Sequence, residues 1–116
     1  MVYFSRTASI VPGKAGEAIA FGNLIAKYIK ETYGTTLEDL VPIGGDPNRI
    51  AWHTHYESLA DWEAVTANLT TDKLYMEMVS KQANTFLAGS VRDDLWRTVR
   101  ADKEPMPPSA GAGRSK

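Results

Sequence analysis

The chain has 116 residues, 43% of them hydrophobic, with 13 basic and 14 acidic residues and a formal net charge of −1. This length suits one compact domain, and the balanced charge argues against a nucleic-acid partner or an anionic membrane surface. The absence of cysteine excludes disulfides, thiolate catalysis and Cys-bound metals, and it fits a reducing compartment. No stretch approaches the ~20 apolar residues of a membrane span and no signal peptide is evident, so we expect a cytoplasmic protein.

Residues 2–10 alternate as in a β-strand, because successive strand side chains point to opposite faces. One face is apolar except for Arg6, and comprises Val2, Phe4, Ala8 and Ile10. A guanidinium on a covered face must be paired or bind an anion, since an unpaired buried charge is costly. The ordinary interpretation is a salt bridge to a helix carboxylate or an edge position that reaches solvent. The functional interpretation is a cation that binds a ligand carboxylate or enolate.

A helix is predicted over residues 15–33, after Pro12 and Gly13 end the first strand. Its apolar stripe has helical spacing and comprises Ala18, Phe21, Ile25, Tyr28 and Ile29. Gly34 is a typical C-terminal stop.

The next elements form a predicted hairpin, with strands over residues 35–43 and 50–57 joined by a turn at 44–48. Gly44, Gly45 and Pro47 favour this turn because glycine tolerates positive φ and proline cannot donate to a ladder. Ser58 can cap the helix that begins at Leu59.

The remaining ordered part is predicted as two helices and a strand. The first helix ends near Leu69, and Asp72 caps a second helix over residues 73–86. Alternation over residues 90–99 predicts the fourth strand. Residues 101–116 contain three prolines and almost no bulky apolar side chains, so we expect a disordered tail after a domain over residues 1–100.

The element order β-α-β-β-α-α-β predicts an α+β, ferredoxin-like fold: a four-stranded antiparallel sheet with helices on one face. The other face would be bare in a monomer, although three strands carry apolar or aromatic side chains on both faces. Two sheets that meet face to face would cover them. The chain itself is therefore an expected partner, as a homodimer.

Three features together resemble a known superfamily: this order, the short chain, and the segments Ser58-Leu-Ala-Asp-Trp-Glu-Ala and Asp72-Lys73-x-Tyr75. Residues 1–100 resemble the dimeric α/β-barrel proteins, which include antibiotic-biosynthesis-type monooxygenases, NIPSNAP-like proteins, EthD-like proteins and muconolactone isomerases. The cofactor-free monooxygenases often place Asn, Trp, Arg and Tyr around a small cavity. By this resemblance Trp52, Tyr56 and Arg92 are candidates for such roles. The haem-degrading members use an Asn on the first strand, where this chain has Ser5 or Arg6, so haem degradation is not expected.

The only two histidines, His53 and His55, share a strand face with Glu57. Two imidazoles and a carboxylate form a ligand set of non-haem iron or zinc, but residues along one strand spread apart and a third ligand is usually supplied from elsewhere. Asp94 on the fourth strand is a better-placed residue for this third ligand. Ligand contact, acid–base work and a purely structural role are the other interpretations. We expect neither a metal nor a cofactor.

The function predicted from these residues is the binding of a small molecule, with two alternatives left open. One is a cofactor-independent monooxygenase or isomerase that acts on an aromatic or polyketide-like compound. The other is a non-catalytic ligand-binding or stress-response protein. The candidate catalytic residues are His53, His55 and Asp94. The candidate ligand-binding residues are Arg6, Trp52, Tyr56, Arg92 and Trp96. We expect the histidines and a fourth-strand residue to set the polar side of a cavity, with Trp52 and Tyr56 on the opposite, helix-covered face.

Overall fold

A computed structural model describes residues 1–99. The predicted tail over residues 101–116 lies outside this range. The elements in chain order are β1 (Val2–Ser9), α1 (Ala15–Tyr33), β2 (Glu38–Leu40), β3 (Arg49–Tyr56), α2 (Leu59–Thr70), α3 (Lys73–Ser80) and β4 (Arg92–Arg97). The predicted element order and the α+β class are confirmed. Within residues 1–99, no helix is long and apolar enough to cross a membrane.

The four strands form one antiparallel sheet in the order β2-β3-β1-β4. Residues directly opposite each other on neighbouring strands share a face. Arg6 lies opposite Trp52 on β3 and Asp93 on β4, and this face is covered by the three helices. We call it the covered face. The other, the open face, carries Tyr3 and Ser5 of β1 with their neighbours on β3 and β4.

The core lies where α1 packs on the middle of the covered face. The rings of Phe21, Trp52 and Phe86 meet edge to face, with centroids 5.8–6.4 Å apart, an arrangement that aromatic quadrupoles favour. Gly22 brings α1 close to the sheet, since a Cβ there would lie 2.9 Å from Trp52 Nε1. The remaining buried members of this cluster are Ala8, Ile10, Ala18 and Ile50.

The predicted helix caps are present. Ser58 Oγ accepts a hydrogen bond from the Asp61 amide at 3.2 Å, and Asp72 Oδ1 accepts one from the Tyr75 amide at 3.0 Å. Each satisfies an amide that has no partner within its helix. Gly34 ends α1 in the left-handed conformation, with φ of 72°.

Three element lengths differ from the prediction. Only residues 38–40 of the predicted strand over 35–43 pair with β3, because Pro42 cannot donate to a ladder. The helix predicted over 73–86 ends at Ser80, since the chain turns back to the end of β1, where Leu87 donates to Ser9 and Val11 donates to Thr85. The fourth strand spans 92–97 instead of 90–99.

The helices α2 and α3 pack loosely over the sheet. Neither contains a buried residue, whereas α1 buries four: Ala18, Gly22, Ile25 and Ile29. The layer formed by α2 and α3 therefore stands away from the covered face, and it leaves room beneath it.

Candidate functional site

A cavity of about 550 Å³ lies between the covered face and the helices. We call it the central cavity. Its floor is formed by strand residues, mainly Phe4, Arg6, Trp52, Thr54, Tyr56 and Asp93. Its walls come from α1, α2 and α3 and include Ile25, Trp62, Thr66, Leu69, Tyr75 and Val79. The volume lies within the range of roughly 300–1,000 Å³ that is typical of small-molecule sites.

Arg6 and Asp93 form a bidentate pair on the floor of the cavity. Arg6 Nε donates to Asp93 Oδ1 at 2.7 Å, and Nη2 donates to Oδ2 at 2.9 Å. The two residues lie directly opposite each other on β1 and β4, and both side chains are about half-exposed. The hydrogen bonds to Asp93 raise the pKa of Arg6, so the guanidinium stays charged. The salt bridge expected for Arg6 is present, but its partner is on a strand and not on a helix.

Aromatic side chains surround this pair. The rings of Phe4 and Trp62 stand 6.2 Å apart, and the Arg6 guanidinium carbon lies 5.8 Å from the centre of the Phe4 ring. Burial raises the pKa of Tyr56, although the hydroxyls of Thr54 and Thr35 act in the opposite direction. The Tyr56 phenol is therefore an uncharged hydrogen-bonding group in the cavity wall. The Tyr75 hydroxyl is also near Arg6 and favours its charged form.

Three buried side-chain polar atoms among residues 1–99 make no hydrogen bond: Asp39 Oδ1, Trp52 Nε1 and Thr54 Oγ1. Most buried polar atoms in proteins are paired. Trp52 Nε1 and Asp39 Oδ1 both lie over Gly22, at 2.9 and 3.1 Å from where its Cβ would be. Burial raises the pKa of Asp39, as desolvation disfavours the charged carboxylate.

A cluster of polar side chains ties α1 to the junction between α2 and α3. Asp72 Oδ2 accepts hydrogen bonds from the hydroxyls of Tyr28 at 2.6 Å and Tyr33 at 2.7 Å. We call these three residues the Asp72 cluster. The bonds lower the pKa of Asp72 to about 2 and raise that of Tyr33 to about 12. The cluster stands beside Thr70 and Tyr75, which line the cavity.

The remaining candidates lie on the open face and do not line the central cavity. Ser5 is opposite His53 on one side and Asp94 on the other, so the backbone positions of His53 and Asp94 are two strand spacings apart, roughly 9–10 Å. Arg92 approaches Asp94 at 3.9 Å, the His55 ring packs near Tyr3, and Trp96 is 65% exposed.

No group of three or more His, Asp or Glu side chains within residues 1–99 is arranged to hold a metal ion. In particular, His53, His55 and Glu57 do not converge, because they follow one another along one face of β3 and into the turn after it.

Asp93 and Tyr75 are among the residues of the site that the sequence analysis did not single out. Asp93 shares its face with Val91 and Leu95 in the alternating pattern of β4, so it is an acidic residue on an apolar face. A charge in that position is the same signal that singled out Arg6, and it would have identified the pair. Tyr75 has no such signal, because its place depends on how α3 packs over β1.

No protein-family model and no curated protein matches the chain. Solved structures do match its fold. A NIPSNAP family protein of unknown function from Agrobacterium tumefaciens aligns with a TM-score of 0.72 and 18% identity, over 87% of this chain and 90% of that one. An uncharacterized NIPSNAP domain protein from Burkholderia xenovorans gives 0.72 and 16%, over 85% and 95%. A proposed antibiotic biosynthesis monooxygenase from Deinococcus radiodurans gives 0.68 and 13%, over 87% and 95%. The chain therefore shares the fold of these proteins, a four-stranded antiparallel sheet with helices on one face, as the sequence resemblance implied.

Proposed function

We propose that this protein binds a small, mostly apolar molecule in the central cavity. The observation that carries this proposal is the cavity itself, about 550 Å³ in volume and lined by aromatic and aliphatic side chains with a few polar groups. A cavity of this kind is the usual form of a small-molecule site. Trp52, Tyr56 and Trp62 offer ring faces to a planar ligand, and Arg6, Tyr56 and Tyr75 offer hydrogen-bond donors.

A cofactor-independent monooxygenase or isomerase reaction on an aromatic or polyketide-like compound is the catalytic form of this proposal. Its support is the fold shared with proteins described as proposed antibiotic biosynthesis monooxygenases, together with the phenol groups in the cavity, which can exchange a proton with a bound ligand. Binding without turnover is the alternative. Oxygen uptake with a bound ligand would indicate the monooxygenase reaction, and conversion of the ligand without oxygen uptake would indicate the isomerase reaction. A ligand recovered unchanged would indicate binding without turnover.

We also propose that two copies pair through their open faces. Tyr3 is 48% exposed and Trp96 is 65% exposed on a sheet face that no helix covers, and a second sheet would bury both. In such a dimer His53, His55, Asp94, Arg92 and Trp96 would lie between the two sheets. The predicted roles of these residues in catalysis or ligand binding therefore belong to the dimer interior, and they depend on the pairing.

The binding proposal is tested by blocking the cavity. Thr66 lines it from α2 and is half-buried, whereas its neighbour Ala67 is exposed and does not line it. Thr66→Phe should weaken the binding of a probe such as 2-naphthol by about tenfold or more, roughly 1.4 kcal/mol, and Ala67→Phe should leave it unchanged. Calorimetry measures both. Equal affinities for the two variants and the wild type would show that the probe binds elsewhere.

A further inference from the structure

The charged residues of the central cavity cancel each other. Among the described residues that line it, Arg6 and Asp93 alone carry a full charge near neutral pH, one positive and one negative. The hydroxyl and amide side chains that line it are neutral: Thr35, Thr54, Tyr56, Thr66, Thr70, Tyr75 and Gln82. Resting on the proposed binding function, we propose that the cavity takes an uncharged ligand with hydrogen-bonding oxygen atoms, such as a phenol or a ketone, and that Asp93 is the residue that excludes anions.

The geometry of the pair gives the reason. Arg6 uses Nε and Nη2 for Asp93, and both oxygens of Asp93 accept from Arg6. A bidentate arginine–carboxylate pair is among the strongest hydrogen-bonded pairs in proteins. An anionic ligand that took the place of Asp93 would leave that carboxylate unpaired at the edge of an apolar cavity, which is unfavourable. An anion that bound beside the pair would instead meet no net positive charge, because Asp93 already matches the charge of Arg6.

An uncharged ligand avoids both costs. A phenol or carbonyl oxygen can accept from the hydroxyl of Tyr56 or Tyr75 while the Arg6–Asp93 pair stays intact. The interpretation of Arg6 as a free cation for a carboxylate or enolate therefore does not fit this cavity, because its charge is already matched. Arg6 therefore contacts the ligand only as part of its neutral pair with Asp93. The aromatic side chains of the cavity floor supply the apolar contact.

The experiment compares two probes that share a naphthalene ring and differ in charge. Near neutral pH 2-naphthol is uncharged and 2-naphthoate is an anion. The wild type should bind 2-naphthol at least about tenfold more tightly than 2-naphthoate. In Asp93→Asn the Arg6 charge is no longer matched, so the affinity for 2-naphthoate should rise by about tenfold while that for 2-naphthol changes little.

Glu63→Gln is the matched control. It removes the same charge from an exposed residue of α2 that does not line the cavity. It should leave both affinities as they are in the wild type. Equal effects of the two variants would show that the change in net charge, and not the cavity, controls the preference, and this would overturn the proposal.

A variant that removes the positive charge of the pair provides a second test if Asp93→Asn does not fold. Arg6→Gln leaves Asp93 unmatched, so the cavity should then favour the cation 2-naphthylmethylammonium by about tenfold over the wild type. Wild-type protein that binds 2-naphthoate as tightly as 2-naphthol refutes the charge selectivity but not the binding function. Folded wild type that binds none of the three probes refutes the binding function itself.

Discussion

At the scale of single residues, Gly22 decides how closely α1 approaches the sheet. Ala is favoured over Gly within a helix by about 1 kcal/mol, but a Cβ at Gly22 would lie 2.9 Å from Trp52 Nε1 and 3.1 Å from Asp39. Trp52 is 8% exposed and packed between two phenylalanine rings, so it cannot move aside. Overpacking of this kind costs about 1–3 kcal/mol, which exceeds the gain in helix propensity.

Gly22→Ala should therefore lower the free energy of unfolding by up to about 2 kcal/mol, as measured by urea denaturation. Gly16→Ala on the same helix is the control, since nothing lies within 4 Å of its Cβ position. Gly16→Ala should raise stability by up to about 1 kcal/mol. A Gly22→Ala protein as stable as the Gly16→Ala protein would refute the close packing of α1 on Trp52.

The residues of the site differ in how far the sequence alone could predict them. Alternation along β1 and β3 correctly placed Arg6, Trp52 and Tyr56 together on the helix-covered face, because strand periodicity is a local property. The same pattern placed His53, His55 and Asp94 on the other face. It could not show which face contains the cavity, because that depends on the distance between the helices and the sheet. The pairing of Arg6 with Asp93 depends on register between strands that are distant in sequence.

At the scale of elements, the Asp72 cluster connects α1 with the α2–α3 junction. Its hydrogen bonds lower the pKa of Asp72 to about 2, whereas an unperturbed Asp has a pKa of about 3.9. A carboxyl with a lowered pKa stabilises the folded state above its unfolded pKa, and the contribution is lost as pH falls through the folded pKa. Asp72 therefore stabilises the fold at neutral pH and loses this effect between about pH 4 and pH 2.

Tyr28→Phe/Tyr33→Phe should remove both hydroxyl donors to Asp72. The double variant should melt at a lower temperature than the wild type at neutral pH, and the difference should shrink as pH falls from about 4 towards 2. Thermal denaturation over this range, with Tyr3→Phe on the open face as the control, measures the effect. A difference that does not change with pH would contradict the role assigned to Asp72.

The same bonds have a consequence at high pH. The pKa of Tyr33 is raised to about 12 from the usual value of about 10. A phenol with a raised pKa stabilises the fold below its unfolded pKa, and the effect is lost as pH rises through the folded value. The cluster therefore weakens at both ends of the pH scale.

Element boundaries show the limits of prediction from local pattern. Residues 81–86 have apolar spacing that fits a helix, yet residues 81–85 form turns and Phe86 forms a β-bridge with Ile10. The backbone around Phe86 bonds to the end of β1, and the Phe86 ring enters the core beside Trp52. These are tertiary contacts, which override the local period. The caps at Ser58 and Asp72 were predictable because each depends on only a few neighbouring residues.

At the scale of the whole molecule, we expect a symmetric dimer through the open face. Sedimentation equilibrium at micromolar concentration should give twice the mass of the chain. Tyr3→Lys/Trp96→Lys places like charges on a face that pairs with itself, and it should shift the protein to a monomer. The matched substitutions Leu24→Lys/Leu74→Lys, at exposed positions on the helices, should leave the dimer intact. A wild-type protein that stays monomeric would refute the pairing.

The proposed ligand site lies between the helices and the sheet. The three tryptophans can distinguish this site from the open face in one experiment. Trp52 and Trp62 line the central cavity, whereas Trp96 is on the open face. In a nitrogen–proton NMR spectrum each indole gives its own signal, so a titration with 2-naphthol reports on both faces at once. The signals of Trp52 and Trp62 should shift and saturate together while that of Trp96 stays in place. A shift confined to Trp96 would show that the ligand binds at the open face and not in the central cavity.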